Sequence, residues 1–295
     1  MTPQQDALPD RATLLLKERI RTLFRHLPKA LAGEEEPIHQ MRVAARRLRV
    51  ALPLLARKPR GRRVRTALSI LRAITRAGGG SRDLDVGLAL FEERLGGLEA
   101  VSPELKTLRR RLRAGRTRSR TRMAGDLLDI PISRLRRLLA GILLRRGEDV
   151  FTVMSRLRDA SESGGARLLQ AVDDLGDRYQ PPDLHGLRIA ARRLRYTAEV
   201  LDAMKGQAPG APPLFKQVQE RLGRVHDAHV LGLWLAQQAA RAEKQGQAEL
   251  AAEARRQEEW FMELSRNEHA AFLADQPRAL LGRALEAMGP GRSAA

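Results

Sequence analysis

The sequence contains no cysteine, which excludes disulfides, zinc–thiolate sites and thiol nucleophiles. Aromatic residues make up only 3% of the chain. The core must therefore be built from Leu, Ala, Val and Ile, and little is left for stacking on nucleic-acid bases. That palette, with its Arg and Glu, enters helices at small entropic cost. No stretch approaches the roughly 18 uninterrupted apolar residues of a membrane helix. The opening from Met1 to Asp10 is polar and carries Asp6 and Asp10, unlike a secretory signal. These absences lead us to expect a cytoplasmic protein. Lysine is scarce too, at seven of the 54 basic residues.

Positive charge is abundant instead. The 295 residues carry a formal net charge of +19, with 43% hydrophobic and 30% charged residues. The length suits one large domain or two average ones. An excess of this size repels itself and usually implies an anionic partner. It is also lopsided: residues 1–146 hold 34 basic and 14 acidic side chains, residues 147–295 hold 20 and 21. General attraction for a polyanion must come mainly from the first half.

Helical periodicity and capping signals run through almost the whole chain. Helices are expected from Asp10 to about Leu27, from about Pro37 to Ala56, and from Arg62 to Ala77. Gly78, Gly79 and Gly80 mark a turn, after which Ser81 is expected to cap a helix ending near Gly96. Ser102-Pro103-Glu104 opens a long Arg-rich helix, and Pro131, Glu148, Pro182, Pro213 and Gly246 punctuate the rest. No segment alternates as a strand would. The expected fold class is all-α.

An internal repeat organises the chain. His39-Gln40-Met41-Arg42-Val43-Ala44-Ala45-Arg46-Arg47-Leu48-Arg49 returns 146 residues later as His185-Gly186-Leu187-Arg188-Ile189-Ala190-Ala191-Arg192-Arg193-Leu194-Arg195. A weaker echo follows each copy, Asp83-Leu84-Asp85-Val86 and Asp227-Ala228-His229-Val230. This period suggests a duplicated helical unit with two similar halves, 8–146 and 147–290, within one domain spanning 8–290. On a helix His39, Arg42, Arg46 and Arg49 share one side while Met41, Leu48, Leu52 and Leu55 share the other. The second copy sets His185, Arg188, Arg192 and Arg195 against Leu187, Leu194 and Leu201. Arg47 and Arg193 lie beside the stripes.

Several cations on one face repel by a few tenths of a kcal/mol per pair, and no acid lies between Gln40 and Pro59 to relieve them. Each His is expected in the first helical turn, where free N–H groups and the dipole already favour an anion. Guanidinium forks match phosphate oxygens. A lone His would more simply be a packing residue; its return with the same Arg spacing favours a binding face.

The doubled His-x-x-Arg-[Val/Ile]-x-x-Arg-Arg-x-Arg, each copy followed by an Asp-containing helix, resembles the conserved histidine α-helical domain (CHAD) family over nearly the whole chain. The resemblance implies two helical-bundle halves related by a pseudo-two-fold, with basic residues lining a central cavity and surface. It also implies binding of inorganic polyphosphate without catalysis, no cofactor, and association with polyphosphate granules. Carried over position by position, the ligand-facing residues are His39, Arg42, Arg46, Arg47 and Arg49 with His185, Arg188, Arg192, Arg193 and Arg195. His229 stands where the first echo has Asp85, so the two echoes need not act alike.

Other residues are expected in supporting roles. Asp83, Asp85 and Asp227 would orient the arginines, since carboxylates at i,i+2 point apart and suit a metal poorly. Arg109, Arg113, Arg116 and Arg120, with Arg57, Lys58, Arg62 and Arg63, form a candidate secondary basic track. Trp234 and Trp260 are expected in the core. A nucleic-acid binder would share the charge and its salt sensitivity, but would add stacking aromatics or a recognition helix. A phosphohydrolase or kinase would need metal-binding carboxylates or a placed base among the cations, and no cluster supplies them.

Overall fold

The computed structural model describes residues 8–143 and 150–289. Among them are eleven helices and no strand, so the all-α expectation holds. They are α1 (Leu8–Leu31), α2 (Glu35–Leu55), α3 (Arg62–Ala77), α4 (Gly79–Gly96), α5 (Pro103–Leu128) and α6 (Ile132–Leu143). After residues 144–149 come α7 (Val150–Leu175), α8 (Pro181–Lys205), α9 (Ala211–Lys244), α10 (Ala248–Ala274) and α11 (Pro277–Met288). The expected punctuation at Glu148 lies outside the described residues.

Local chemistry explains most boundaries. Ser102 caps α5 as expected, accepting a hydrogen bond from the Leu105 N–H at 3.2 Å. Gly206 ends α8 in the left-handed region at φ 68°, which only glycine enters freely. Two expectations change. The break between α3 and α4 is a single residue, Gly78, and Ser81 sits inside α4 rather than at its cap. Both α2 and α8 begin earlier than the repeat suggested, so His39 and His185 are each the fifth helical residue. Their own N–H groups are already inside the helix, and the first turns hold Glu35, Glu36 and Asp183 instead. The free N–H groups of those helix starts therefore do not coincide with the histidines.

The packing scheme runs in parallel along the chain. α1 packs on α2 as α7 packs on α8; α2 packs on α3 as α8 packs on α9; α3 meets α6 as α9 meets α11; α4 meets α5 as α9 meets α10. The single long α9 occupies the role shared by α3 and α4. Across the middle, α2 contacts α8, α4 contacts α9 and α5 contacts α10.

Two apolar cores result, and each draws on both halves of the sequence. The larger joins α1, α2, α3, α6, α7, α8 and α11 with the last turns of α5, the first part of α9 and the end of α10. The smaller joins α4 and the first part of α5 to the later part of α9 and the first half of α10. Met41, Leu48, Leu52 and Leu55 are buried, as are Leu187, Leu194 and Leu201, so the apolar faces of the repeated helices lie where their periodicity placed them. Trp260 departs from expectation. It is 37% exposed, with the Arg94 guanidinium 4.6 Å above its ring; one face packs while the other meets a cation and solvent. Trp234 packs partly buried against the smaller core.

Candidate functional site

The apolar faces of α2 and α8 are drawn into the larger core, which leaves their basic faces to meet across a gap. α4 and α9 close the sides. The resulting cavity of about 270 Å³ is lined by four helices in two pairs that mirror one another. His39, Arg42 and Arg46 come from α2 and His185, Arg188 and Arg192 from α8. Arg82, Asp83 and Val86 come from α4, with His226 and Asp227 from α9. Five guanidiniums thus face two carboxylates, a surplus of three positive charges with the imidazoles neutral.

Burial makes that surplus consequential. Arg42 is only 6% exposed, and its Nε, like the Nδ1 of His185, is buried with no hydrogen-bond partner among the described residues. Burial, then the neighbouring Arg46, lowers the Arg42 pKa to about 10. Burial and Arg46 do the same to Arg192, again to about 10. Both remain charged at neutral pH, so the repulsion persists in the folded protein. Burial followed by Arg82 lowers His39, and burial followed by Arg188 and Arg192 lowers His185. His226, its ring centroid 4.5 Å from that of His185, is pushed down to about 4 by burial and then Arg188. Burial raises Asp227. The lowered Arg and His values disfavour further positive charge in the cavity, while the raised Asp227 reflects the cost of burying a carboxylate there.

Glycine lets the arginines lie flat against the side walls. A Cβ on Gly78 would stand 2.7 Å from the Cδ of Arg42, closer than real carbons approach. On the other side Gly223 faces Arg188, where a Cβ would stand 3.7 Å from Nε, an ordinary contact. The first wall is tight and the second is loose.

Of the ten ligand-facing residues expected from the sequence, six meet in this cavity. The other four do not line it. Arg47 forms a two-point ion pair with Glu199, Nε to Oε2 at 2.8 Å and Nη2 to Oε1 at 3.0 Å. Arg195 approaches the same carboxylate at 3.6 Å. Arg49 donates to the Thr75 hydroxyl at 3.2 Å, and Arg193 is exposed. For Arg47 and Arg193 the reason is helical phase, since a residue one position on turns about 100° out of the gap. Arg49 and Arg195 keep the phase but lie nearly a turn further along their helices, beyond the cavity lining.

Asp83 and Asp227 belong to the wall itself rather than standing behind it. Asp85 is buried away from the cavity, held by Arg120 at 2.8 Å and Arg116 at 3.9 Å. Its counterpart His229 instead meets the Tyr179 hydroxyl at 3.4 Å, and Tyr179 donates to Ser265 at 2.8 Å. Both positions tie neighbouring helices together. The α5 part of the expected secondary track is likewise engaged: Arg113 pairs with Glu92 at 2.6 Å, Arg109 with Glu92 at 3.6 Å, and Arg120 also with Glu35 at 2.7 Å. Arg57, Lys58, Arg62 and Arg63 line a separate groove.

Arg82 and His226 escaped the sequence reading. They immediately precede Asp83 and Asp227, one residue before the acidic echo begins. The change from Arg to His hid the equivalence.

Among the described residues no three His, Asp or Glu side chains are grouped to hold a metal ion, and no helix is long and apolar enough to cross a membrane. Residues 14–236 match the family described as CHAD domain. No curated protein matches the chain in sequence. Among solved structures, the CHAD domain from the plant Ricinus communis is 25% identical at a TM-score of 0.63, covering 93% of this chain and 91% of its own. PptA from Streptomyces chartreusis is 18% identical at a TM-score of 0.67, covering 90% of this chain and 99% of its own.

Proposed function

The chain belongs to the CHAD domain family, and on that premise we propose that it binds inorganic polyphosphate in the central cavity without transforming it. One observation carries the reading. Two copies of a His-x-x-Arg-x-x-x-Arg face, far apart in sequence, meet around one cavity whose lining, among the described residues, carries more positive than negative charge. A polyphosphate segment supplies an oxygen-rich anion with no apolar surface and no base to stack. Guanidinium forks would bind it in bidentate fashion, in a half-buried setting where charge pairs count for more than in water. The unpaired Arg42 Nε and the cavity imidazoles would complete the donor set.

The absence of catalysis is part of the proposal. The two wall carboxylates sit among guanidiniums rather than beside a nucleophile, and phosphoryl transfer needs a placed base or metal ligands. Nucleic acid is the weaker reading, because the cavity presents no Phe, Tyr or Trp and single-strand binders stack bases mainly on such rings. The two parallel sets of helices we read as a duplicated unit folded into one domain. A cytoplasmic setting beside polyphosphate granules would bring the protein to its ligand.

The test is titration with long-chain polyphosphate at physiological salt, with double-stranded DNA and RNA as competitors at equal charge. Polyphosphate binding that excess nucleic acid fails to displace supports the proposal. Equal or stronger nucleic-acid binding would replace it with a general polyanion role.

A further inference from the structure

The stretch from Pro37 to Arg82 contains no aspartate or glutamate and thirteen lysines and arginines. Only part of that charge faces the cavity. On α3, Arg62, Arg65, Arg72 and Arg76 fall at i, i+3, i+10 and i+14, within one narrow arc of the helix, and all four are exposed. None makes an ion pair or a side-chain hydrogen bond among the described residues. Such a stripe costs a few tenths of a kcal/mol per neighbouring pair and has no packing role to offset it.

The ridge joins two places. Its C-terminal end abuts the cavity: Gly78 lies under Arg42, and Arg49 reaches Thr75 at 3.2 Å with Arg72 close enough to lower its pKa, after burial. Its N-terminal end enters a groove of about 430 Å³ rimmed by Arg57, Lys58, Arg62, Arg63 and Arg134, with no acid in its lining. At 1.5 Å per residue α3 separates the two by about 24 Å.

The opposite wall has no such ridge. The first part of α9 packs on α8 and α11 as α3 packs on α2 and α6. There Lys216 pairs with Glu220 at 3.3 Å, Arg221 with Asp275 at 2.6 Å and Arg224 with Glu268 at 2.9 Å. Each cation already has its anion.

We propose that a phosphate polyanion longer than the cavity leaves it in one direction only, along the exposed arginines of α3, and makes its last contacts in the groove rimmed by Arg134. This rests on the cavity being the polyphosphate site. The ridge would then set chain-length preference: a short chain fills the cavity alone, a long one adds the ridge as further charge contacts on the same molecule.

The experiment compares tripolyphosphate with long-chain polyphosphate on the full chain. R62Q/R65Q/R72Q removes three ridge charges; R158Q/R167Q/R266Q removes three exposed charges elsewhere, where surface pairs contribute little. The ridge variant should lose about tenfold or more in long-chain affinity, with a shallower salt dependence, and stay within about twofold for tripolyphosphate. The control should change less than about threefold for either ligand. Equal long-chain losses in both variants, no loss in the ridge variant, or an equal loss for tripolyphosphate would each overturn the inference while leaving the cavity assignment standing. A wild-type protein that binds neither ligand would instead remove the cavity assignment itself.

Discussion

The two walls of the cavity are built from the same plan and finished differently. On the α2 side, Gly78 breaks the helix and Arg42 is wedged against it. On the α8 side, α9 runs on through Gly223 and Arg188 has room. Arg82 on the first wall is matched by His226 on the second. Behind the stripes, Arg47 is held by Glu199, which also draws in Arg195 and, at 3.7 Å, Arg19. The position equivalent to Glu199 by the 146-residue offset is Pro53, and Arg193, equivalent to Arg47, is exposed. The inner ring of charge is nearly symmetric, while the outer charges are neutralised on different sides. On the proposed reading, a shared ligand would account for the first fact and a chain leaving along one side for the second.

Breaking the symmetric ring should have the largest effect. Arg46→Glu with Arg192→Glu puts negative charge on both walls and should weaken polyphosphate binding at least about a hundredfold, since each lost charge-assisted contact contributes roughly 1.5–3 kcal/mol. Circular dichroism should show unchanged helicity; a loss of helicity would mean the arginines hold the fold instead.

Next comes the asymmetric outer pair. Glu199→Gln leaves Arg19, Arg47 and Arg195 without the one anion they share among the described residues, and Arg19 already has Nε and Nη1 buried and unpaired there. Thermal or denaturant unfolding should show a loss of about 2 kcal/mol, with cavity binding little changed. A neutral result would show that the outer charges are solvated well enough to need no partner.

The glycine contrast is subtler. Gly223→Ala should stabilise the protein by about 0.5–1 kcal/mol, because alanine suits a helix interior better than glycine and its Cβ finds ordinary space. Gly78→Ala should displace Arg42 and weaken binding by about three- to tenfold. Equal behaviour of the two variants would erase the tight-wall and loose-wall distinction.

The smallest effect is the pH response. His39, His185 and His226 have pKa values below the usual imidazole range, so they are neutral at pH 7. A bound polyanion favours their charged forms, so binding takes up protons and affinity should rise as pH falls below about 7. The increase should flatten near pH 4, where His226 charges even without ligand. Without ligand the sign reverses: the unfolded chain takes up protons first, and stability falls as pH drops from about 6.5 toward about 4. Isothermal titration in buffers of different ionisation enthalpy reads the proton uptake. None at about pH 6 would mean the histidines do not meet the ligand.

Much of this was legible in the chain. The apolar phase of α2 and α8, the Ser102 cap and the doubled stripe all follow from spacing of local residues. Membership of the stripe was harder. Arg46 and Arg47 are neighbours, yet one enters the cavity and the other pairs with Glu199, 152 residues away. Periodicity tells which residues share a side of one helix; it does not tell which part of that side another element covers. The same limit explains why Arg116 and Arg120 looked like a free track although Asp85 and Glu35 meet them from α4 and α2.

By itself the sequence determined the helical class, the buried faces, the excess of positive charge and its concentration before residue 147, because these depend on composition and short-range spacing. Only the tertiary structure decided that the two stripes face each other, that Arg82 and His226 join them, and which arginines find acids. Charge neutralisation depends on distances between residues far apart in the chain, and only helix packing sets those distances.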